Sequence, residues 1–160
     1  MSDWIETYRG TVSAWECDIV EHFTIAYYFD RFADATRNFV ELIGEGETLA
    51  PRINQGPSRL CALFQHELRA GAAFHILSAL TSVDASALHV GHQVVQSASG
   101  KVVTWLAETL ALPPSLAASN RQKLQGLAVA WPGPEIPKPT PSAATSGALS
   151  ARDRQALGDR

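Results

Sequence analysis

The clearest periodic pattern in the chain predicts one long amphipathic helix over residues 25–43. Its apolar stripe recurs at alternating intervals of four and three residues, a spacing that places the stripe on one face of a helix. The opposite face is polar and charged, Thr24 is a candidate N-cap, and Gly44 and Gly46 are expected to stop the helix. The stripe consists of Ile25, Phe29, Phe32, Thr36, Phe39 and Ile43.

The segments on either side of this helix favour strands. Residues 5–16 contain Thr, Tyr, Val and Trp, which suit an extended conformation. After a loop over 47–58, the apolar residues alternate with the period of a strand, and 69–71 and 97–100 have the composition of turns. Consecutive strands joined in this way should form an antiparallel meander. The predicted strands are 59–68, 73–83, 87–96 and 101–112.

This order of elements predicts an α+β domain of the hot-dog type, in which a curved antiparallel sheet wraps around one long central helix. The domain is expected over residues 1–130, with a short helix at 115–127 near its end. Residues 131–160 are rich in Pro, Ala, Ser and Thr, and they are predicted to form a flexible tail. The exposed edges of such a sheet favour a homodimer or homotetramer.

Composition narrows the functional classes. The chain has 160 residues and a net charge of -3 without a basic stripe, which argues against nucleic acid as a partner. No apolar run is long enough for a membrane span and the N-terminus lacks a signal-peptide pattern, so a cytoplasmic location is expected. Its two cysteines, Cys17 and Cys61, are too few for a disulfide framework or a cysteine zinc site. No metal and no resident cofactor are predicted.

The segment that joins the first strand to the long helix concentrates polar chemistry. It holds Asp18, Glu21, His22, Tyr27 and Tyr28 within eleven residues. A carboxylate just before a helix lies beside backbone N–H groups that have no partner inside the helix. Such groups can hold a thioester carbonyl and stabilise the oxyanion that forms on attack. The carboxylate can attack directly or activate water, so this junction suits thioester hydrolysis.

At these residues the sequence resembles the 4-hydroxybenzoyl-CoA thioesterase-like acyl-CoA thioesterases, whose pattern is roughly Asp-x-x-Gly-His-x-Asn, then Tyr, then the helix. The resemblance spans about residues 6–112, and the segment 67–71 is similar to the family's second hairpin. It implies hydrolysis of an acyl-CoA to free acid and coenzyme A, with coenzyme A as part of the substrate. The matching residues are Asp18, His22, Tyr27, Tyr28, Phe32 and Ala35.

The resemblance also implies roles for individual residues. Asp18 would be the catalytic nucleophile or base, and His22 would position the thioester. Glu21 and Thr24 depart from the pattern, because they stand where the family usually has Gly and Asn. We predict Glu21 as a second acid or base. The predicted substrate-binding residues are Thr24, Tyr27 and Tyr28, and surface cations proposed to hold coenzyme A include Arg59 and Arg69.

Two other functions remain open on the sequence. The departures at Glu21 and Thr24 favour a non-catalytic module that binds an acyl-CoA or acts as a structural dimer. A hot-dog dehydratase or other lyase would pair a histidine with a carboxylate, as His22 could do with Asp18 or Glu21. At the level of single residues, Asp18 could instead cap a turn or helix, and Glu21 could be a solvated surface charge.

Overall fold

The regular elements follow the predicted order in residues 4–53 and 59–135, which the computed structural model describes. Helix α1 begins where the pattern predicts, whereas the first strand ends before a short 3₁₀ turn at Ala14–Glu16. The elements are β1 (Ile5–Thr11), α1 (Ile25–Leu42), a single-turn α2 (Gly46–Leu49), β2 (Arg59–Phe64), β3 (Ala73–Val83), β4 (Ala87–Gln96), β5 (Lys101–Ala111) and α3 (Ala118–Gly126).

The five strands form one antiparallel sheet in the order β1-β3-β4-β5-β2. Strands β3, β4 and β5 are a meander, as predicted. The expectation that β2 continues into β3 as a hairpin is wrong, because β2 pairs with β5, with Arg59 opposite Thr109 and Phe64 opposite Thr104. Strands β1 and β2 are therefore the two edges, and the α+β hot-dog architecture is confirmed.

The connection between β2 and β3 explains this difference. Residues 65–72 are too many for a tight hairpin, and they cross the end of the sheet from the β5 side to the β1 side. Along the way the amide of Gln65 donates to Val103 O at 2.9 Å, Phe23 donates to Leu68 O at 2.9 Å, and the amide of Gly71 donates to Val12 O at 2.8 Å. The crossing brings this segment against the polar loop that precedes α1.

Helix α1 packs on the sheet with a face slightly rotated from the predicted stripe. Its buried residues include Tyr28, Phe32, Ala35 and Thr36, whereas Ile25 is 57% exposed. The apolar core forms two clusters, one around Phe32 and one around Phe39 and Val40. Among the described residues, no helix has the length and apolarity that a membrane crossing requires.

A group of tryptophans packs together around β4 and β5. The ring of Trp131 lies 6.2 Å from that of Trp4 and 5.3 Å from that of Trp105, measured between centroids. A Cβ added to Gly91 would come within 2.6 Å of Trp131, so the glycine makes room for this ring. Trp131 is the first residue of the predicted tail, and residues 136–160 of that tail lie outside the described residues.

Candidate active site

The loop between β1 and α1 is a tight turn that fixes the Asp18 carboxylate. The loop closes through Asp18 N, which donates to His22 O at 2.9 Å, and through Glu21 N, which donates to Asp18 O at 3.0 Å. Within it, Asp18 Oδ1 accepts hydrogen bonds from the amides of Val20 at 3.0 Å and His22 at 2.9 Å. One carboxylate oxygen is thus held by the backbone.

Glu21 completes the turn in a left-handed backbone conformation, with φ of 64°. Only glycine adopts this region without steric cost, which gives a backbone reason for the glycine that the resemblance expects here. The Glu21 side chain is exposed and is not among those lining the cleft described next. The structure therefore does not bring the Glu21 carboxylate together with that of Asp18 in the cleft.

A cleft of about 420 Å³ opens beside this loop. Its walls come from the loop, the first turn of α1, and the chain that leaves β2. The aromatic and aliphatic groups supply an apolar wall, and carboxylates and imidazoles supply the polar part. The lining residues are Asp18, His22, Phe23, Thr24, Ile25, Tyr28, Phe64, His66 and Glu67. The sequence-predicted Asp18, His22, Thr24 and Tyr28 thus share one cleft.

Glu67 is a site residue that sequence reasoning missed. Its Oε2 lies 2.9 Å from His22 Nε2, and the Arg69 guanidinium lies 3.2 Å from the same nitrogen. Nε2 either donates to the carboxylate or accepts from the guanidinium, so its tautomer decides which contact is a hydrogen bond. The resemblance includes Glu67 in the segment 67–71 but gives it no role. The crossing of residues 65–72 is what brings it to His22.

The first turn of α1 lacks a side-chain cap, although Thr24 occupies the predicted N-cap position. The Thr24 hydroxyl donates instead to Glu16 O at 3.1 Å. Thr24 O accepts from the amides of Tyr27 and Tyr28. In the described part of the chain, the amides of Ile25 and Ala26 have no hydrogen-bond acceptor. These two N–H groups are available to an anion at the positive end of the helix.

A partly buried ion pair anchors the loop to the helix. Glu16 is 3% exposed and accepts the Arg31 guanidinium and the amide of Ser13, at 2.8 Å. The Arg31 guanidinium also lies over the Tyr8 ring, 5.7 Å from its centroid. Since Glu16 O in turn accepts the amide of Thr24 at 3.0 Å, this residue fixes both ends of the Asp18 turn. No local feature of the sequence singles out Glu16.

The remaining predicted site residues lie in different places. Tyr28 is 3% exposed, and burial raises the pKa of its phenol. Tyr27 stacks on Phe23, with ring centroids 6.3 Å apart, and is not among the cleft-lining residues. Arg69 stands at the cleft through His22, whereas Arg59 begins β2, five residues and about 17 Å along the strand from Phe64.

Comparison with known proteins gives a matching family model and several similar structures. The model of the thioesterase-like superfamily matches residues 12–129. A candidate thioesterase from Pseudomonas putida KT2440 is 21% identical with a TM-score of 0.64, over 86% of this chain and 98% of that one. A Staphylococcus aureus protein determined in complex with CoA is 17% identical with a TM-score of 0.60, over 82% and 91% of the two chains.

A third similar structure is the dynemicin thioesterase, which binds a polyene. It is 17% identical with a TM-score of 0.60, over 79% of this chain and 100% of its own. A search of curated protein sequences finds no significant match. At these identities the solved structures establish the shared fold, and the family model covers most of the described residues. The chain therefore belongs to the thioesterase-like superfamily.

Proposed function

We propose that the protein is an acyl-CoA thioesterase that hydrolyses its substrate to a free acid and coenzyme A. The observation that carries the proposal is the position of the Asp18 carboxylate, which lines a cleft at the uncapped first turn of α1. Thioesterase-like relatives and a similar protein with CoA bound support this substrate class. Cleft and helix end together provide a carboxylate and unpaired N–H groups, the two components that thioester hydrolysis needs.

In the reaction we propose, Asp18 acts as general base. It takes a proton from a water molecule, whose oxygen forms a bond to the thioester carbonyl carbon. The carbonyl becomes an oxyanion, which the amides of Ile25 and Ala26 stabilise through hydrogen bonds. When the tetrahedral intermediate collapses, the carbon–sulfur bond breaks and the coenzyme A thiolate takes the proton back from Asp18. Direct attack by Asp18 would instead pass through an anhydride that water then cleaves.

His22 has a positioning role in this proposal. The pair of His22 and Glu67, 2.9 Å apart, can fix the imidazole orientation in the cleft, and Arg69 adds a positive charge beside it. Tyr28 and Phe64 form an apolar wall suited to part of an acyl group. Walls of this kind accept acyl groups of many shapes.

Assembly as a homodimer or homotetramer is part of the proposal. Strand β2 is an edge strand, and its Leu60 and Phe64 are 44% and 38% exposed. Beside the cleft, Ile19 is fully exposed at 100% and Val20 is 56% exposed. Exposed apolar side chains next to an unpaired strand edge are features of a self-association surface. A second copy covering them would close the open side of the cleft. The proposed location is cytoplasmic.

Thiol release from a panel of acyl-CoA substrates tests the hydrolase proposal. Asp18→Asn keeps the size of the side chain and removes the base, so kcat/KM should fall by about 10² to 10⁴. Glu47→Gln, an exposed carboxylate on α2, is the matched control and should leave turnover unchanged. Equal turnover by Asp18→Asn would refute the mechanism. Binding of an acyl-CoA without any thiol release would indicate the non-catalytic module instead.

A further inference from the structure

A layer of buried polar side chains divides the apolar core. On α1, β3, β4 and β5, a polar residue separates apolar residues of the two core clusters. His92 stands between Val90 and Val94 on β4, and Glu108 stands between Leu106 and Leu110 on β5. The exposed fractions in this layer are 5% for Thr7, 0% for Thr36, 0% for Ser78, 0% for His92 and 5% for Glu108.

These side chains form a chain of hydrogen bonds that ends at Glu108. Thr7 Oγ1 lies 2.6 Å from Ser78 Oγ, and Ser78 Oγ lies 2.7 Å from His92 Nδ1. The Thr36 hydroxyl donates to Glu108 Oε2 at 2.6 Å. Because its single hydrogen is used there, it must accept from His92 Nε2, at 3.3 Å. The donors of Thr36 and His92 in this hydrogen-bond network therefore point towards the Glu108 carboxylate.

Glu108 also borders a cavity beside α1. This cavity has a volume of about 580 Å³, within the range of small-molecule sites. Its walls include Phe29 and Ala33 from α1, Ile53, and Leu60 from β2, and Glu108 supplies a buried carboxylate. None of its lining residues lines the cleft that contains Asp18. The cavity is therefore a separate feature of the described chain.

The charges at the rim of the cavity leave the Glu108 carboxylate available to a ligand. The Arg37 guanidinium pairs with Asp34 at 3.0 Å, and the Arg31 guanidinium pairs with Glu16. A carboxylate has about four acceptor sites. Among the described residues, Oε2 accepts from Thr36 and has His92 Nε2 at 3.5 Å, and no hydrogen bond to Oε1 is found. The carboxylates of Asp30 and Asp34 also line the cavity. The lining therefore suits a molecule with an apolar body and a cationic or hydrogen-bond-donating end.

We propose that this cavity is a second binding site. Its ligand is a small apolar molecule that ends in an ammonium or hydroxyl group, and this group donates a hydrogen bond to Glu108. The buried layer behind Glu108 holds the carboxylate in place, and the apolar walls hold the body of the ligand. An ammonium forms the strongest contact because its hydrogen bond is charge-assisted. A carboxylate of the same shape is rejected, because it would face a buried charge of the same sign. The site does not depend on thioester hydrolysis.

Methyl NMR on the full chain tests this proposal, with the signals of Ala33, Ile53 and Leu60 as reporters. The probes are 2-phenylethylamine, 2-phenylethanol and 3-phenylpropanoate, which share an aromatic body and differ in the polar end. The amine and the alcohol should shift these signals, and the propanoate should bind at least about tenfold more weakly than the amine. Glu108→Gln should weaken binding of the amine by about tenfold, which is the effect of losing one charge-assisted hydrogen bond.

Two further variants locate the site. Ala33→Phe fills the cavity from α1 and should abolish binding of all the probes, without altering the buried layer. This variant keeps the test decisive if Glu108→Gln fails to fold. Asp18→Asn should bind the amine as the unmodified protein does, so loss of binding there would place the ligand in the other cleft. Equal binding of amine and propanoate, no shift of the reporter methyls, or binding unaffected by Ala33→Phe would each overturn the proposal.

Discussion

Thr36 provides the sharpest test of how the buried polar layer contributes to the fold. Its side chain is 0% exposed, and its hydroxyl joins Glu108, at 2.6 Å, to His92, at 3.3 Å. Thr36→Val keeps the shape and replaces the hydroxyl by a methyl group. Glu108 Oε2 then retains only the His92 contact at 3.5 Å, a distance too long for a good hydrogen bond.

The size of the effect follows from these contacts. A hydrogen bond to a charged group contributes about 1.5–3 kcal/mol, and a buried polar group left without a partner costs about as much. We expect Thr36→Val to lower the free energy of unfolding by about 2–4 kcal/mol, which is roughly 6–12 °C in Tm for a domain of this size. Thr36→Ser keeps the hydroxyl and loses one methyl group, so its cost should be about 1 kcal/mol.

Urea unfolding followed by tryptophan fluorescence measures both variants, since the chain has 4 tryptophans. The slope of the free energy against urea should stay constant if only the native state is affected. We expect Thr36→Val to be less stable than Thr36→Ser, although Val is the more hydrophobic residue. If Thr36→Val were as stable as Thr36→Ser, or more stable, the Thr36 hydroxyl would not stabilise the Glu108 carboxylate.

The other predictions concern the backbone and the surface. Glu21→Gly should raise the free energy of unfolding by about 0.5–1 kcal/mol in urea, because it relieves the left-handed strain; Glu21→Ala should give no gain. Gly91→Ala should lower the free energy of unfolding by about 1–3 kcal/mol, because the added Cβ would lie 2.6 Å from Trp131. Gly126 lies in open space, so Gly126→Ala should not destabilise the protein. The hydrogen bond from His89 lowers the pKa of Asp84 to about 2. The stabilising effect of the ionised Asp84 is therefore present above pH 3.8 and is lost as the pH falls through 2. A carboxyl titration by NMR in which Asp84 keeps its ordinary pKa would contradict this.

The hydrophobic periodicity of individual segments was sufficient to predict most of the helices and strands. The predicted bounds of β3 and β4 coincide with those observed, and α1 begins at the predicted residue, Ile25. Hydrophobic spacing reports which face of an element is buried, and a single element contains that information. The pairing of β2 with β5 was not accessible in this way, since it depends on a connection whose path is set by hydrogen bonds to distant segments.

For the candidate site, the sequence indicated the position of the carboxylate but not its surroundings. Asp18 and His22 were found because a polar loop before an apolar helix is visible in one dimension. Glu67 reaches His22 only through the crossing of residues 65–72, and Glu16 matters through its contacts to both ends of the loop. A charged residue in a strand or loop has no local mark that distinguishes a surface position from a buried one.

The same distinction holds for the whole protein. The sequence by itself determined the order of elements, the amphipathic helix and the loop that carries Asp18, because these depend on neighbours within a few residues. Only the tertiary structure decided that Thr36, His92 and Glu108, from three different elements, meet in the core. Their meeting depends on strand register and on how α1 lies on the sheet, which are set by packing across the whole domain.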